Sequence, residues 1–451
     1  MKVLHYSLGL PPYRSGGLTK YAKDLMVSQV ELGYDVNLLY PSDLAFGYPN
    51  VKVRKNVSFS GIRVFELKNP LTVPLLHGVR DPQFLVSNTQ QQRTVFEAFL
   101  DDLKPTVVHF HTLMGIPKVF LQILKERNIR SVYTTHDYFG LCLKVNFINE
   151  NQDVCSGASP EKCALCNRHS PGNSFLRFRN EKLLIQFKKL LSSLKSLKSI
   201  QSDLHKSKSQ VISVTPSEID RFASALDYFK MSLGQIDIIH FNSSVTSKVF
   251  THVLGLTQSK VLPITHRGVK DNRAIRRSES HTLRMGFIGS TDTYKGFPFL
   301  KDVLMEIGGD TAMDWRLLVF GGIKGTDSDL ANIHFMGKYN NEELADVFGQ
   351  LDVLIVPSIW KETFSLITLE ALSYGVPVIV SDNVGAKDII AEIDASFIFS
   401  SSSDLKSLIN EFLCDRSRLK EFNRKVTEME WQHDMMDHVQ DVEAEFYSPQ
   451  L

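Results

Sequence analysis

The sequence is poor in cysteine, in net charge and in long apolar runs, and each shortage closes off a class of protein. Five cysteines in 451 residues are too few for a disulfide scaffold. Lys and Arg number 51 against 50 Asp and Glu, so the net charge of +1 gives no global attraction to nucleic acid or to a membrane surface. No apolar run approaches the ~20 residues of a membrane-spanning helix. The opening, MKVLHYSLGL, carries one Lys and too short an apolar run for a secretion signal, and it reads as a first strand. A cytoplasmic location and no nucleic-acid partner are therefore expected. No G-x-G-x-x-G follows that strand, which weakens a dinucleotide-oxidoreductase reading. What is present is the ordinary composition of a globular protein, over a length that suits two or three domains.

The most informative stretch runs from Asp352 to Asp388, DVLIVPSIWKETFSLITLEALSYGVPVIVSDNVGAKD. Val353–Val356 is a short apolar run bounded by turn residues, as in a buried parallel strand. Trp360–Phe364 reads as a loop and Ser365 as a helix N-cap. Leu366, Leu369 and Leu372 share one helical face, and Gly375-Val376-Pro377 ends the helix before a second strand, Val378–Val380. This is a βαβ unit, with its loop at the carboxyl edge where open α/β sheets bind ligands. The helix start at Thr363, Phe364, Ser365 and Leu366 offers amide groups to a phosphate. Glu362 precedes that site and Glu370 follows it, so each can grip hydroxyls on its own side. On spacing alone, a capping and a solvated glutamate are the plainer reading.

The start of the chain has the same grammar. Lys2–Tyr6 reads as a strand, Pro11-Pro12 as an extended loop ending at Gly16-Gly17, and Leu18–Leu32 as a helix closed by Gly33. Glycines at a helix start let backbone amides approach a ligand, although a tight turn alone explains them equally well. Further on, Val107–His111 and Arg130–Thr135 are strands flanking a helix over Ile116–Arg127. They deliver His109, His111 and then His136-Asp137 to the ligand edge. A lone histidine there is more often structural, but three at matching strand ends favour a site.

Taken whole, PSIWKETFSLITLEALSYGVPVIVSD resembles the C-terminal signature of the family-4 retaining glycosyltransferases, P-S-x-x-x-E-x-F-x-x-x-x-x-E-A-x-x-x-G-x-P-V. The G-G opening, V-V-H-F-H and T-H-D-Y are similar to motifs of the same family. The resemblance implies a GT-B fold: two Rossmann-like, doubly wound α/β domains facing a central cleft. It implies a hexosyl- or glycosyltransferase that moves a sugar from a nucleotide-diphosphate sugar to a hydroxyl of a glycan or lipid-linked glycan, as in cell-surface polysaccharide synthesis, without a catalytic metal. By the same likeness His136 contacts the transferred sugar, Glu362 its hydroxyls, and Glu370 the ribose. Gly16 and Gly17 lie against the donor, His109, His111 and Asp137 stand on the acceptor side, and the leaving diphosphate is held at Gly289, Ser290 and Lys295. Ser290 stands where the family usually has an arginine, which puts more of the neutralisation on Lys295. Gly321 passes near the nucleotide base. Two other readings remain open: a sugar-nucleotide epimerase or phosphorylase on the same fold, and a non-catalytic scaffold of a polysaccharide assembly complex.

Three stretches complete the expectation. Cys142, Cys155, Cys163 and Cys166 lie in one loop-rich insertion, about 140–175. Four thiolates suit a structural tetrahedral zinc better than an iron–sulfur cluster, with free or partly paired thiols as the alternative. Similar cysteine-bearing insertions occur in a subset of the family. Leu176–Gln210 is amphipathic, with nine Lys or Arg against two acids. It either packs on its own domain or rests on anionic lipid as a peripheral contact at the inner face of the membrane. The expected domains are residues 1–265, a linker over 266–282, residues 283–425, and a C-terminal helix in 426–451 that crosses back.

Overall fold

A computed structural model describes residues 1–43, 50–87, 89–179, 181, 214–256, 260–275, 280–308, 314–321 and 331–448. Leu176–Gln210 therefore falls largely outside the described residues. The chain divides into two compact units, Met1–His240 with Val442–Leu451, and Phe241–Asp441.

The first sheet contains β1 (Lys2–Tyr6), β2 (Asp35–Pro41), β3 (Lys52–Lys55), β4 (Arg63–Lys68), β5 (Val107–Phe110), β6 (Arg130–Thr134), β7 (Ile238–Phe241) and β8 (Lys260–Val261), in the order β3-β4-β2-β1-β5-β6-β7-β8. β1, β2, β4, β5, β6 and β7 pair in parallel, and β3 is antiparallel to β4. No pattern in the residues announces β3, because KVRK is an exposed, charged edge strand with no apolar alternation. The helix Gly17–Glu31 buries Tyr21, Leu25 and Met26 as its periodicity requires, and it also buries Gln29. Gln90–Leu103 starts from a reciprocal cap between Thr89 and Gln92.

The second sheet contains β9 (Leu283–Ile288), β10 (Trp315–Phe320), β11 (Ile333–Gly337), β12 (Val353–Val356), β13 (Val378–Ser381) and β14 (Ile398–Phe399), ordered β11-β10-β9-β12-β13-β14 and parallel throughout. Every residue of β12 and β13 is buried, as expected of central strands covered on both faces.

Two boundaries differ from expectation. The expected linker is part of the second unit: Asn272 N–H donates to Ser373 O, Asn423 Nδ2 to Ala274 O, and Arg273 to the carbonyls of Val426 and Met429. Arg273 spends its charge on carbonyl contacts of this kind, which a composition shift cannot distinguish from an exposed linker. The expected last helix is broken. Ser417–Glu428 ends, a non-helical stretch follows, and Met435–Val442 then runs into a wider π turn at Glu443–Tyr447.

Candidate functional site

In the second unit the site forms where β9 and β12 end. Past β9, Thr293–Lys295 makes a single 3₁₀ turn closed by Gly296. Its Tyr294 carbonyl accepts from the amides of Ile359 and Trp360, which follow β12 (3.1 and 3.3 Å). The two loops are thus tied together by backbone, and they bring Lys295 Nζ to 2.8 Å from Glu362 Oε1. Ser358 donates to the other Glu362 oxygen. The Lys295 ammonium lies 5.3 Å from the centre of the Trp360 ring, and the Tyr294 ring meets Trp360 edge-on. Burial, then Asp292 and Glu362, push the Tyr294 phenol up to about 12, so it stays a neutral donor. Glu362 itself is bolted in place: its N–H donates to Asn383 O and its carbonyl accepts from Gly385 N–H. A fixed carboxylate beside a cation and an aromatic wall suits a polyhydroxylated ligand next to an anion.

Ser365 does stand at the N-cap of Leu366–Leu372, but its hydroxyl does not cap the helix. It accepts from Thr368 Oγ1 (3.0 Å), and its φ of +94° is unusual for a residue other than glycine. Thr363 and Phe364 are buried, their carbonyls held by Ser243 Oγ and Ala386 N–H, and Leu366 is half-buried. Glu370 is nearly buried, its Oε1 2.8 Å from Nε2 of the fully buried His266. His266 Nδ1 accepts from Gly268 N–H, which leaves the ring proton on Nε2, at an angle to the carboxylate outside hydrogen-bond geometry. Burial, and after it Glu370, raises the Tyr339 phenol. Gly289 and Gly321 approach within backbone contact of each other, at the ends of β9 and β10. Ser290 donates to Asp292, and Asp388 anchors Ser244 through both its N–H and its hydroxyl.

In the first unit the strand ends carry a set of histidines larger than expected. His5 and His109 are register partners on β1 and β5, and Thr134 pairs with His240 across β6 and β7. His5, His109, His111 and His240 are fully buried, so His109 and His111 offer no surface to an acceptor, contrary to expectation. His136 alone of the predicted histidines is partly exposed. Burial lowers His5 to about 4 and His136 to about 3 and holds His111 well below its usual range, so all three are neutral near pH 7. Asp137 accepts from Phe139 N–H, and burial raises it to about 7. Gly16 precedes the helix with φ +112°, with open space where a side chain would stand; Gly17 is the first helical residue.

The four cysteines line one cavity of about 280 Å³, Cys163 and Cys166 from the helix Pro160–Asn167. The thiol set suits zinc in kind. Among the described residues, however, it is His5, His109 and His111 whose ligand atoms lie within 4.8 Å of one another, and the sulfurs form no such group. Burial pushes the Cys163 and Cys166 thiols up to about 12 and about 11, which favours the protonated form.

Sequence reasoning missed His5, Gln29, His266, Ser358 and Tyr447. Gln29 and His5 sat inside patterns that already had an explanation, and His266 sat in apparent linker. Nothing in the string signalled that Tyr447 belongs with residues more than three hundred positions earlier.

Two parallel-sheet α/β units with ligand-edge loops of this kind define a two-domain, Rossmann-like GT-B fold. Residues 282–415 match the family described as "Glycosyl transferases group 1". Two proteins of the cps region of Klebsiella pneumoniae are similar. One, of 41.2 kDa, is 33% identical over 123 residues, 25% of this chain and 32% of that protein; the other, of 42.6 kDa, is 21% identical over 91% of this chain and 93% of that protein. A phosphatidyl-myo-inositol mannosyltransferase of Propionibacterium freudenreichii is 26% identical over 40% of this chain and 43% of its own. The chain thus spans about a third of the first relative and nearly all of the second. Among solved structures, sucrose-phosphate synthase from Thermosynechococcus elongatus superposes with a TM-score of 0.57 at 15% identity, covering 98% of this chain and 96% of that one. HepE of Anabaena in complex with UDP does so at 0.55 and 12%, covering 98% and 99%. These findings support a glycosyltransferase of the GT-B fold.

Proposed function

We propose that the protein is a retaining glycosyltransferase of family-4 type, moving a sugar from a nucleotide-diphosphate sugar to a hydroxyl of a glycan or lipid-linked glycan in cell-surface polysaccharide synthesis. The observation that carries this reading is the constellation of Lys295, Glu362, Ser358 and Trp360 at the ends of β9 and β12, with Glu370 and Tyr339 further along. The cps-region relatives and the UDP-bound neighbour support the pathway and the donor class.

In this mechanism Lys295 exchanges its contact with Glu362 for the donor diphosphate, whose oxygens also meet the amides at Thr363–Leu366. Glu362, released from Lys295 but still held by Ser358, accepts from sugar hydroxyls. Glu370, with His266 behind it, accepts from the ribose, and His136 contacts the transferred sugar. The bond between the anomeric carbon and the diphosphate oxygen breaks, and the acceptor oxygen bonds to that carbon on the same face. The acceptor proton passes to the departing phosphate. The protein contributes position and charge stabilisation rather than a covalent intermediate. No step requires a metal.

The cysteine cavity is proposed as a structural zinc site, whose binding would draw the four sulfurs together; elemental analysis of purified protein finding neither zinc nor iron would remove it. The basic stretch Leu176–Gln210 is proposed as a peripheral membrane contact, tested by flotation with anionic vesicles at low salt. Among the described residues no helix is long and apolar enough to cross a membrane. For the function itself, a thermal-shift panel of nucleotide sugars identifies the donor, because a ligand of the folded state raises its stability. Product NMR then reads the anomeric configuration. If no nucleotide sugar stabilises the protein, the reading fails; an inverted product would retain the transferase and overturn retention.

A further inference from the structure

The histidines of the first unit form a hydrogen-bonded circuit with a direction, and that direction follows from one glutamine. Gln29 Oε1 lies 2.7 Å from His5 Nε2, so His5 donates from Nε2 and its Nδ1 is the acceptor. His5 Nδ1 is 3.0 Å from His111 Nε2, which must therefore carry a proton, leaving His111 Nδ1 as an acceptor. His111 Nδ1 is 3.3 Å from His136 Nε2, which must donate in turn. One branch thus runs inward from His136 to Gln29, and it leaves His136 with Nδ1 as its acceptor nitrogen.

The other branch leaves Gln29 from its amide nitrogen. Gln29 Nε2 donates to Tyr447 Oη (3.0 Å), so the Tyr447 hydroxyl proton goes to His109 Nδ1 at 2.7 Å. His109 Nε2 then donates to Thr134 Oγ1 (2.7 Å), and Thr134 donates to His240 Nδ1 (2.9 Å). All five imidazoles end in the same form, with the proton on Nε2, the tautomer a neutral imidazole intrinsically favours. Turning the Gln29 amide over would reverse every bond in both branches. A charge on any of His5, His111 or His136 would need a donor-only imidazolium, which burial opposes.

We propose that Gln29 is a positioning residue that fixes the tautomer of His136, presenting Nδ1 as a hydrogen-bond acceptor toward a hydroxyl of the transferred sugar, while Tyr447 does the same for His109 and His240 on the other branch. This rests on the proposed role of His136. A sugar hydroxyl can both donate and accept, so a ring of fixed polarity selects one orientation of that hydroxyl and enforces it during transfer. Neither residue touches the sugar in this scheme. They act through the circuit, and Tyr447 brings the C-terminal segment into it. A divalent cation shared by His5, His109 and His111 is the competing state, because it would consume the same lone pairs.

The test uses the full chain labelled with [15N]histidine, with tautomers read from long-range 1H–15N correlations at pH 7.5. In the unsubstituted protein His136 is expected as the Nε2–H form. Tyr447→Phe should perturb the His109 and His240 signals and leave His5, His111 and His136 unchanged. Gln29→Met should release both branches and give mixed His136 tautomers. If Gln29→Met does not fold, the His136 tautomer of the unsubstituted protein decides, since the derivation allows only the Nε2–H form. An Nδ1–H or charged His136, equal perturbation of both branches by Tyr447→Phe, or a stoichiometric metal lost on replacing His5 overturns the circuit and leaves the glycosyltransferase reading intact. In the transfer assay Gln29→Met should lower kcat roughly three- to tenfold, the loss of about one hydrogen bond, with KM for the nucleotide sugar unchanged. An unchanged kcat alongside shifted tautomers would instead remove His136 from the sugar, and with it the positioning role.

Discussion

Replacing Gly296 by alanine should break the tie between the two loops that carry Lys295 and Glu362. Gly296 has φ +80°, and a Cβ built there would stand 1.8 Å from the Pro357 carbonyl oxygen, where real contacts essentially never fall below 3.0 Å. One loop must therefore retreat by at least the difference, 1.2 Å (3.0 less 1.8), and the obstacle is backbone that no rotamer change can clear. The left-handed conformation costs a side-chain-bearing residue about 1–2 kcal/mol, and the overpacking about 1–3 kcal/mol more. A total of about 3 kcal/mol corresponds to a fall of roughly 6–12 °C in the Tm of a unit this size. The separation also lengthens the 2.8 Å contact between Lys295 and Glu362, so turnover should fall with stability. Gly349→Ala is the control, since its Cβ would meet nothing within 4 Å and its φ is not positive. That variant should be neutral, or more stable by a few tenths of a kcal/mol. Scanning calorimetry of both variants decides the matter: if Gly296→Ala melts within about 1 °C of the parent, the close approach is not real and the joint description of the two loops is wrong.

Other perturbations follow from the site and from the buried titratable groups. Lys295→Met should lower kcat by roughly a hundredfold or more, as expected for removing a charge from a departing phosphate. Glu370→Ala should weaken nucleotide binding by roughly ten- to a hundredfold, read by calorimetric titration. Unchanged constants in both would favour a scaffold. Because burial depresses His5 to about 4 against an ordinary 6.5, the unfolded chain binds the extra proton between those values. Stability from His5 is therefore complete above pH 6.5 and falls by about 1.4 kcal/mol per pH unit below it. Asp137, raised to about 7, has the opposite sign and adds stability as the pH falls below 7. Asp137→Asn should therefore steepen the acid loss between pH 7 and 5 in urea titrations, and a shallower loss would refute the assignment. Removing Val442–Leu451 should lower the Tm of the first unit and broaden its histidine resonances, because Tyr447 and the Arg130 contact to Phe446 O go with the segment.

The regular parts of both sheets were legible because buried parallel strands leave an apolar signature: Val353–Val356 is β12 to the residue, and Lys2–Tyr6 is β1. Glu362 and Glu370 could be singled out because they punctuate a long motif, and Lys295 through the family resemblance, but their partners could not. Ser358 and Trp360 looked like loop filler, and His266 looked like linker, since a single buried polar residue leaves no period to detect. His109 and His111 were rightly placed at the strand ends and wrongly turned outward. The alternation of a strand says which residues share a face, and it cannot say whether that face is covered by Gln29 from one helix and Tyr447 from the far end of the chain.

That last arrangement bears on how the protein is made. The first unit takes its closing segment from residues that follow His240 by about 200 positions, and a ribosome needs roughly 10–40 s to add them. For that interval the sheet can be in place while the seat of Tyr447 stands open, with Gln29 and His109 answering to water. The branch through His109 and His240 is completed only when that segment docks, so a chain cut before it would keep its strands and lose the polarity of those two histidines.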